Sequence, residues 1–107
     1  MIIRLWRGWT EKDGAQAYQR VLTEQVVPMI RAYDMPGFRG IKTMRRAVIG
    51  DDGTEEVEFA TLMEFDDLSS IRDFVGEDID TAHIPEAARA VLKRWEARVS
   101  HYELFES

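Results

Sequence analysis

Two histidines are the side chains of this sequence best suited to acid–base chemistry near neutral pH. His83 lies in a polar connector, and His101 lies near the carboxyl end. A neutral imidazole can accept a proton or ligate a metal ion, so His83 is the leading candidate for a base. The competing interpretation of His83 is a solvent-exposed histidine that caps a helix starting at Pro85. For His101, substrate binding competes with a hydrogen-bonded structural role.

Aromatic side chains stand in the first and last apolar segments. Trp6 and Trp9 belong to the first of these segments, and Tyr102 belongs to the last. An indole can stack on a planar aromatic ligand, but large aromatic side chains also fill cores and interfaces, so both roles stay open for the tryptophans. Tyr102 is a further candidate pocket group and points to the opposite face from its neighbour His101.

Other patterns that could carry chemistry are weak. An acidic cluster surrounds His83 and consists of Glu77, Asp78, Asp80 and Glu86. Its spacing matches no metal-binding loop of fixed geometry, and such charges also suit a helix N-terminus. No metal site is therefore assigned. The absence of cysteine excludes disulfides and a thiolate nucleophile and fits a reducing cytoplasm. Ser69-Ser70 is typical of a helix first turn, and no glycine-rich phosphate loop is present.

The hydrophobic pattern predicts the elements that must position these side chains. Alternating apolar residues predict strands at 2–9, 38–49, 55–65 and 99–105, and helical spacing predicts helices over 10–33, 68–75 and 85–95. Thr10 with Asp13 predicts the first helix start, and Pro28 predicts a kink or restart. Residues 50–53 predict a hairpin turn. The order predicts one α+β domain, residues 1–107, with a ferredoxin-like βαββαβ fold, a four-stranded antiparallel sheet and helices on one face.

Both faces of this predicted sheet carry large apolar side chains. The pattern places Trp6, Leu62, Tyr102 and Leu104 on one side, with Phe59, Met63 and Phe65 on the other. Helices cover only one face, so the other is expected to pack against a second copy in a homodimer. Charged residues that share these faces are expected to pair or to lie at the rim; examples are Arg4, Glu58 and Glu64.

Charge and hydropathy exclude two classes of partner. The chain of 107 residues has a net charge of −6 and a pI near 4.9, and its adjacent basic pairs are limited to Arg45-Arg46 and Lys93-Arg94. Such a surface repels phosphate backbones, so nucleic acid is not an expected partner. No stretch is long and apolar enough to cross a bilayer, and residues 1–7 are interpreted as a strand rather than a signal peptide. A cytoplasmic protein is expected.

Four segments of the chain carry a family likeness. They are Ile3-Arg4-Leu5-Trp6-Arg7-Gly8-Trp9-Thr10, Pro36-Gly37-Phe38-Arg39-Gly40, the stretch from Phe65-Asp66-Asp67-Leu68 to Phe74-Val75-Gly76-Glu77-Asp78, and Trp95-Glu96-Ala97-Arg98-Val99-Ser100-His101-Tyr102-Glu103. Together they resemble the antibiotic-biosynthesis-monooxygenase-like superfamily over nearly the whole chain. The resemblance implies a dimeric α/β-barrel with a pocket between helices and sheet in each subunit.

The resemblance also implies chemistry. Some members oxidise polycyclic aromatic substrates with dioxygen and without metal or flavin, whereas others bind and degrade heme. The heme-degrading members use an Asn on the first strand, a Trp in the second helical region and an iron-ligating His further along. His83 stands near that His position and Phe74 stands one residue from the Trp position, but the first strand has no Asn. Heme cleavage is therefore not expected, and no cofactor is assigned.

The resulting expectation is a cofactor-independent monooxygenase-like enzyme acting on a small aromatic or polyketide-like substrate. His83 is the expected base, and Trp6 and Tyr102 are expected to complete the pocket. The alternative is a non-catalytic dimeric module that binds a small hydrophobic ligand or heme. A third reading is a purely structural dimer without a small-molecule pocket.

Overall fold

The computed structural model describes residues 1–105 and shows an α+β fold with one antiparallel sheet. Three long strands form most of it: β1 (Ile2–Glu11), β2 (Phe38–Ile49) and β3 (Glu55–Phe65). Two short strands, β4 (Arg94–Trp95) and β5 (Ser100–Glu103), both pair with β1 on its other edge. The spatial order is β2-β3-β1 followed by this interrupted last strand. The predicted ferredoxin-like order is confirmed, with the fourth strand divided into two pieces.

The helices lie on one face of the sheet. They are α1 (Ala15–Val21), α2 (Val27–Ala32), α3 (Leu68–Val75) and the short α4 (Glu86–Arg89). Asp67 caps α3, since its carboxylate accepts a hydrogen bond from the Ser70 amide at 2.9 Å, and Gly76 ends it with a φ of 92°. The predicted hairpin turn also forms, with the Gly53 amide bonded to the Gly50 carbonyl at 2.9 Å.

Pro28 changes the helix type without breaking the helix. The backbone stays right-handed helical between α1 and α2, but Leu22–Val26 forms a π-helical turn. A proline has no amide hydrogen, and its ring clashes with the carbonyl four residues earlier, which here is that of Glu24. The wider π turn makes room for the ring just after it. The predicted disturbance therefore takes the form of a bulge.

The core lies between the helices and the inner face of the sheet. Tyr18, Phe65 and Ile71 are fully buried, and Tyr18 meets Phe59 edge to face with 4.8 Å between ring centroids. The strand register places the even-numbered residues of β1 opposite the odd-numbered residues of β3, for example Trp6 opposite Thr61. Opposed residues share a face, so both sets point toward the helices.

Three sequence predictions are wrong in this fold. Thr10 does not cap a helix, because β1 continues to Glu11 and a 3₁₀ turn at Lys12–Gly14 precedes α1. Trp95 is not helical, because the chain leaves α4 and pairs Trp95 with Gly8 of β1. Trp6 does not share a face with Leu62 and Tyr102, since the register puts Trp6 on the inner face.

The outer face of the sheet combines an apolar centre with a charged border. Leu5 lies opposite Leu62, Ile3 lies opposite Tyr102, and none of these side chains is covered by a helix. Glu58 forms ion pairs with Arg46 at 3.0 Å and with Arg7 at 3.8 Å, as expected for charges on a sheet face. No helix within residues 1–105 is both long and apolar enough to span a membrane.

Ile71→Ala is expected to lower the free energy of unfolding by about 2–5 kcal/mol, because it opens a cavity at a fully buried site. The matched control is Leu68→Ala on the same helix, where the side chain is 37% exposed and the loss is expected to stay below about 1 kcal/mol. Urea unfolding of both variants measures the difference. Equal losses would contradict the packing of α3 described above.

Candidate functional site

A cavity of about 90 Å³ lies between the inner face of the sheet and the helices. Its wall is mostly apolar and aromatic, with Trp6 and Met63 from the sheet, Tyr18 from α1 and Phe74 from α3. A few polar residues also line it, among them Arg4 and His83. An apolar pocket with few polar groups is the usual form of a small-molecule site.

Trp6 is fixed in the cavity wall by its backbone strand and by its indole nitrogen. Nε1 donates a hydrogen bond to the Glu96 carbonyl at 2.7 Å, in the segment that joins the two pieces of the last strand. The neighbouring Gly8 leaves room for the indole, since a Cβ there would lie 3.0 Å from the Trp6 ring and 2.9 Å from Leu92. The ring is therefore held in a single place beside the cavity.

His83 stands at the mouth of the cavity, in the connector that follows α3. The residue is exposed, and it also borders an open groove of about 370 Å³ together with Tyr33 and Phe74. Phe74 contacts both spaces, and its ring lies 6.1 Å from that of Tyr33. A molecule that fills the cavity and extends into the groove would pass His83. The position suits a group that exchanges protons with solvent.

Tyr102 does not join Trp6 and His83. It lies on β5 opposite Ile3, on the outer face of the sheet, and is 54% exposed. The cavity wall is built from the even-numbered positions of β1, which point the other way. The structure thus brings together two of the three predicted site residues, and within one chain the sheet separates the third from them.

Arg4 is a cavity residue that the sequence-based prediction does not identify. The sequence pattern predicts that Arg4 pairs with another charge or lies at the rim, but it is only 6% exposed and lines the cavity from the inner face. Its guanidinium donates to the carbonyls of Ile79 at 2.6 Å and Thr81 at 3.0 Å, and so fixes the connector after α3. A signal was present, since Arg4 shares strand parity with Trp6 inside an apolar segment.

His101 lies between Arg4 and Asp80 and contacts both side chains. Its Nε2 lies 3.0 Å from an Arg4 nitrogen, and its Nδ1 lies 3.0 Å from an Asp80 carboxylate oxygen. A guanidinium can only donate, so Nε2 accepts and the ring proton resides on Nδ1, where it donates to Asp80. The predicted hydrogen-bonded role of His101 is what the structure shows. Burial lowers the pKa of His101, the Arg4 charge lowers it further, and Asp80 opposes both.

The acidic residues near His83 do not converge. Asp78 forms an ion pair with Arg98 at 2.8 Å, and Asp80 is engaged by His101. Within residues 1–105, no three His, Asp or Glu side chains are grouped so that they could hold a metal ion. Two members of the cluster, Asp78 and Asp80, therefore form local ion pairs around the connector.

The fold has a counterpart among solved structures. An ethyl tert-butyl ether D (EthD) family protein from Bacillus halodurans superposes with a TM-score of 0.53 and 18% sequence identity, covering 98% of this chain and 100% of that one. At this identity the likeness shows a shared fold and no more. No model of a known protein family matches the chain, and no curated protein is detectably similar in sequence.

His101→Gln is expected to flatten the pH dependence of stability between about pH 7.5 and 5.5. An unfolded histidine binds a proton near its ordinary pKa of about 6.5, whereas the folded-state pKa of His101 is lowered. The stabilisation is thus fully present above about pH 6.5 and is lost as the pH falls through the folded-state pKa. Glutamine binds no proton in this range, so its variant should lose less stability.

Urea unfolding at both pH values measures this difference. Both proteins keep the charged groups around position 101, namely Arg4, Asp80 and Arg98, so the difference between them reports the replaced imidazole. Equal losses in wild type and variant would show that His101 is not held neutral by its surroundings.

Proposed function

We propose that this protein binds a small, mostly apolar aromatic molecule in the cavity beside Trp6 and oxidises it with dioxygen, without metal or flavin. The observation that carries the proposal is the joint placement of Trp6 and His83 on one apolar cavity. The sequence resemblance to the antibiotic-biosynthesis-monooxygenase-like superfamily and the fold shared with the EthD family protein are consistent with it.

The size of the cavity restricts the ligand. A cavity of about 150 Å³ is enough to hold a benzene molecule. The cavity here measures about 90 Å³, so it takes at most part of a ring system, and the groove of about 370 Å³ beyond His83 would take the remainder. A flat molecule with one end in the cavity and the other in the groove fits this pair of spaces better than a compact ligand.

The proposed reaction requires a base and an apolar surrounding. A CH₂ group between a ring and a carbonyl loses a proton to His83, and the resulting carbanion passes one electron to dioxygen. The substrate radical and superoxide combine to a peroxide anion, which takes the proton back from His83. The resulting hydroperoxide loses water and leaves a carbonyl. One oxygen atom enters the product, and the other departs in water with the two hydrogens of the CH₂. The apolar wall limits competing protonation of the carbanion.

The second candidate function is ligand binding without turnover. The exposed position of His83 favours it, because nothing among the described residues holds that imidazole in a fixed orientation. In this case the ligand occupies the same cavity and groove. Oxygen consumption separates the two candidates.

We also propose that the outer sheet face forms a homodimer interface. Its apolar centre includes Leu5 and Leu62, and Tyr102 extends it while being 54% exposed. Charges of both signs border this centre, for example Arg46 and Glu58. A twofold axis can place each sign against the other on the second copy, so the surface is self-complementary. Tyr102 would then contact the partner subunit rather than the substrate.

His83→Gln is expected to lower the rate of oxygen consumption by at least about 100-fold, the usual size of a general-base effect. An oxygen electrode measures uptake with 2-indanone and related bicyclic ketones, whose CH₂ lies between ring and carbonyl. The control is Glu86→Gln, an exposed neighbour on α4, which should keep the wild-type rate.

Unchanged uptake in His83→Gln would remove His83 as the base. Ligand binding to the cavity by NMR, without any oxygen uptake by the wild type, would establish the binding module instead.

Leu62→Arg is expected to convert the dimer to monomer, because it puts a charge into the apolar centre of the outer face. Sedimentation velocity measures the mass of the wild type and the variant. Ile49→Arg is the control: it adds the same charge at a side chain that is 69% exposed and lies on the other face of the sheet. A monomeric wild type, or equal dissociation in both variants, would rule out this interface.

A further inference from the structure

Arg4 is a buried cation without a carboxylate partner. Its side chain lies at the cavity wall and is only 6% exposed, and no carboxylate of residues 1–105 forms an ion pair with it. Its contacts are two backbone carbonyls and the neutral ring of His101. Buried charges in folded proteins are ordinarily paired, because the cost of desolvation is otherwise not offset. The missing counter-charge calls for an explanation.

Asp80 offsets the Arg4 charge only in part. It acts through the intervening ring of His101, and its carboxylate is 46% exposed, so solvent screens it. Arg98 also lies 3.6 Å from the Asp80 carboxylate, so the negative charge of Asp80 is partly neutralised by a second cation. The charge that would balance Arg4 has to come from elsewhere.

The guanidinium retains donors for such a charge. It carries five N–H groups, and the contacts with Ile79, Thr81 and His101 use three of them. A guanidinium binds two oxygens of a carboxylate, or one phenolate or enolate oxygen, through adjacent N–H groups. Its fixed position beside Trp6 would orient the attached ring along the cavity wall.

We infer that the cavity ligand carries an anionic oxygen conjugated to its ring (a carboxylate, phenolate or enolate) and that Arg4 binds this oxygen. The inference rests on the proposed function only in requiring a small molecule in this cavity. It adds the substrate class, since an enolate is the form of a ketone that yields an electron to dioxygen. His101 is a positioning residue that holds the guanidinium in place with Asp80 behind it.

Benzoate and nitrobenzene provide the test, because they have nearly the same shape and differ in charge. Titration calorimetry with the wild-type protein should show benzoate binding at least about tenfold more tightly, the ratio expected for charge-assisted hydrogen bonds. In ¹⁵N NMR spectra, the Arg4 side-chain signal should shift with benzoate and remain unchanged with nitrobenzene.

Arg4→Met should remove the preference for benzoate while nitrobenzene affinity changes by less than about threefold, since the wall stays apolar. Arg4→Lys should restore part of the preference, because it keeps the charge but not the planar fork. Arg20→Met is the control for net charge: Arg20 is exposed on α1, and the preference should stay at its wild-type value. If Arg4→Met does not fold, two measurements on the wild-type protein test the inference: the affinity ratio of benzoate to nitrobenzene, and the shift of the Arg4 side-chain NMR signal with benzoate.

His101→Phe tests the positioning role. It removes the acceptor for Arg4, so the benzoate preference should fall while nitrobenzene affinity holds. His101→Gln returns an acceptor oxygen and should recover part of that preference. A general loss of structure would reduce both affinities alike, and that result would overturn the positioning role.

The outcomes separate the two levels of proposal. If neither compound binds and neither perturbs cavity signals, the small-molecule function of the cavity fails. If both bind equally well, the cavity is a ligand site but the anion inference is wrong, and Arg4 serves only to fix the connector. A benzoate preference that survives in Arg4→Met would also overturn the inference, because it would place the anion site elsewhere.

Discussion

The alternation of side chains along β1 is the constraint on which the rest of the molecule depends. This strand pairs with β3 on one edge and with both pieces of the last strand on the other, so its register fixes which residues share a face. A shift of one residue would turn Arg4 and Trp6 to the outer face and bring Leu5 and Arg7 to the inner face. The cavity would then lose the Trp6 indole from its wall, and the outer face would lose Leu5 from its apolar centre. One register therefore sets both the proposed ligand site and the proposed dimer surface.

Arg4 links that register to the connector around the cavity. Segments without regular structure need hydrogen-bond partners for their backbone groups. Here the Arg4 guanidinium donates hydrogen bonds to the carbonyls of Ile79 and Thr81. His101 and Asp80 complete the arrangement from β5 and the connector. The same group that holds His83's connector against the sheet thus supplies the charge at the cavity wall. One side chain therefore contributes both to the stability of the connector and to the proposed ligand recognition.

Local signals in the sequence predicted most of the elements. The α3 segment carries its own cap at Asp67 and its own stop at Gly76, and β3 alternates cleanly, so both were found where expected. The failures have the same physical origin. Trp95 continues a helical spacing that begins in α4. Instead of adding a further turn to this helix, the chain pairs Trp95 with Gly8 of β1. Thr10 resembles a cap, but the long pairing of β1 with β3 extends the strand past it. In each case a contact distant in sequence outweighed a local preference.

The sequence by itself determined the βαββαβ order, the acidic surface, the apolar character of both sheet faces and the candidacy of His83 and Trp6, because periodicity and composition are local properties. Only the tertiary structure decided that Trp6 and His83 share a cavity while Tyr102 lies behind the sheet. It also decided that Arg4 is buried beside them, rather than paired with an opposite charge or placed at the rim. The reason is that a strand pattern states which residues share a face but not which face the helices cover, and no pattern states where a connector such as 77–84 comes to rest. Those outcomes depend on long-range packing, which the order of residues does not display.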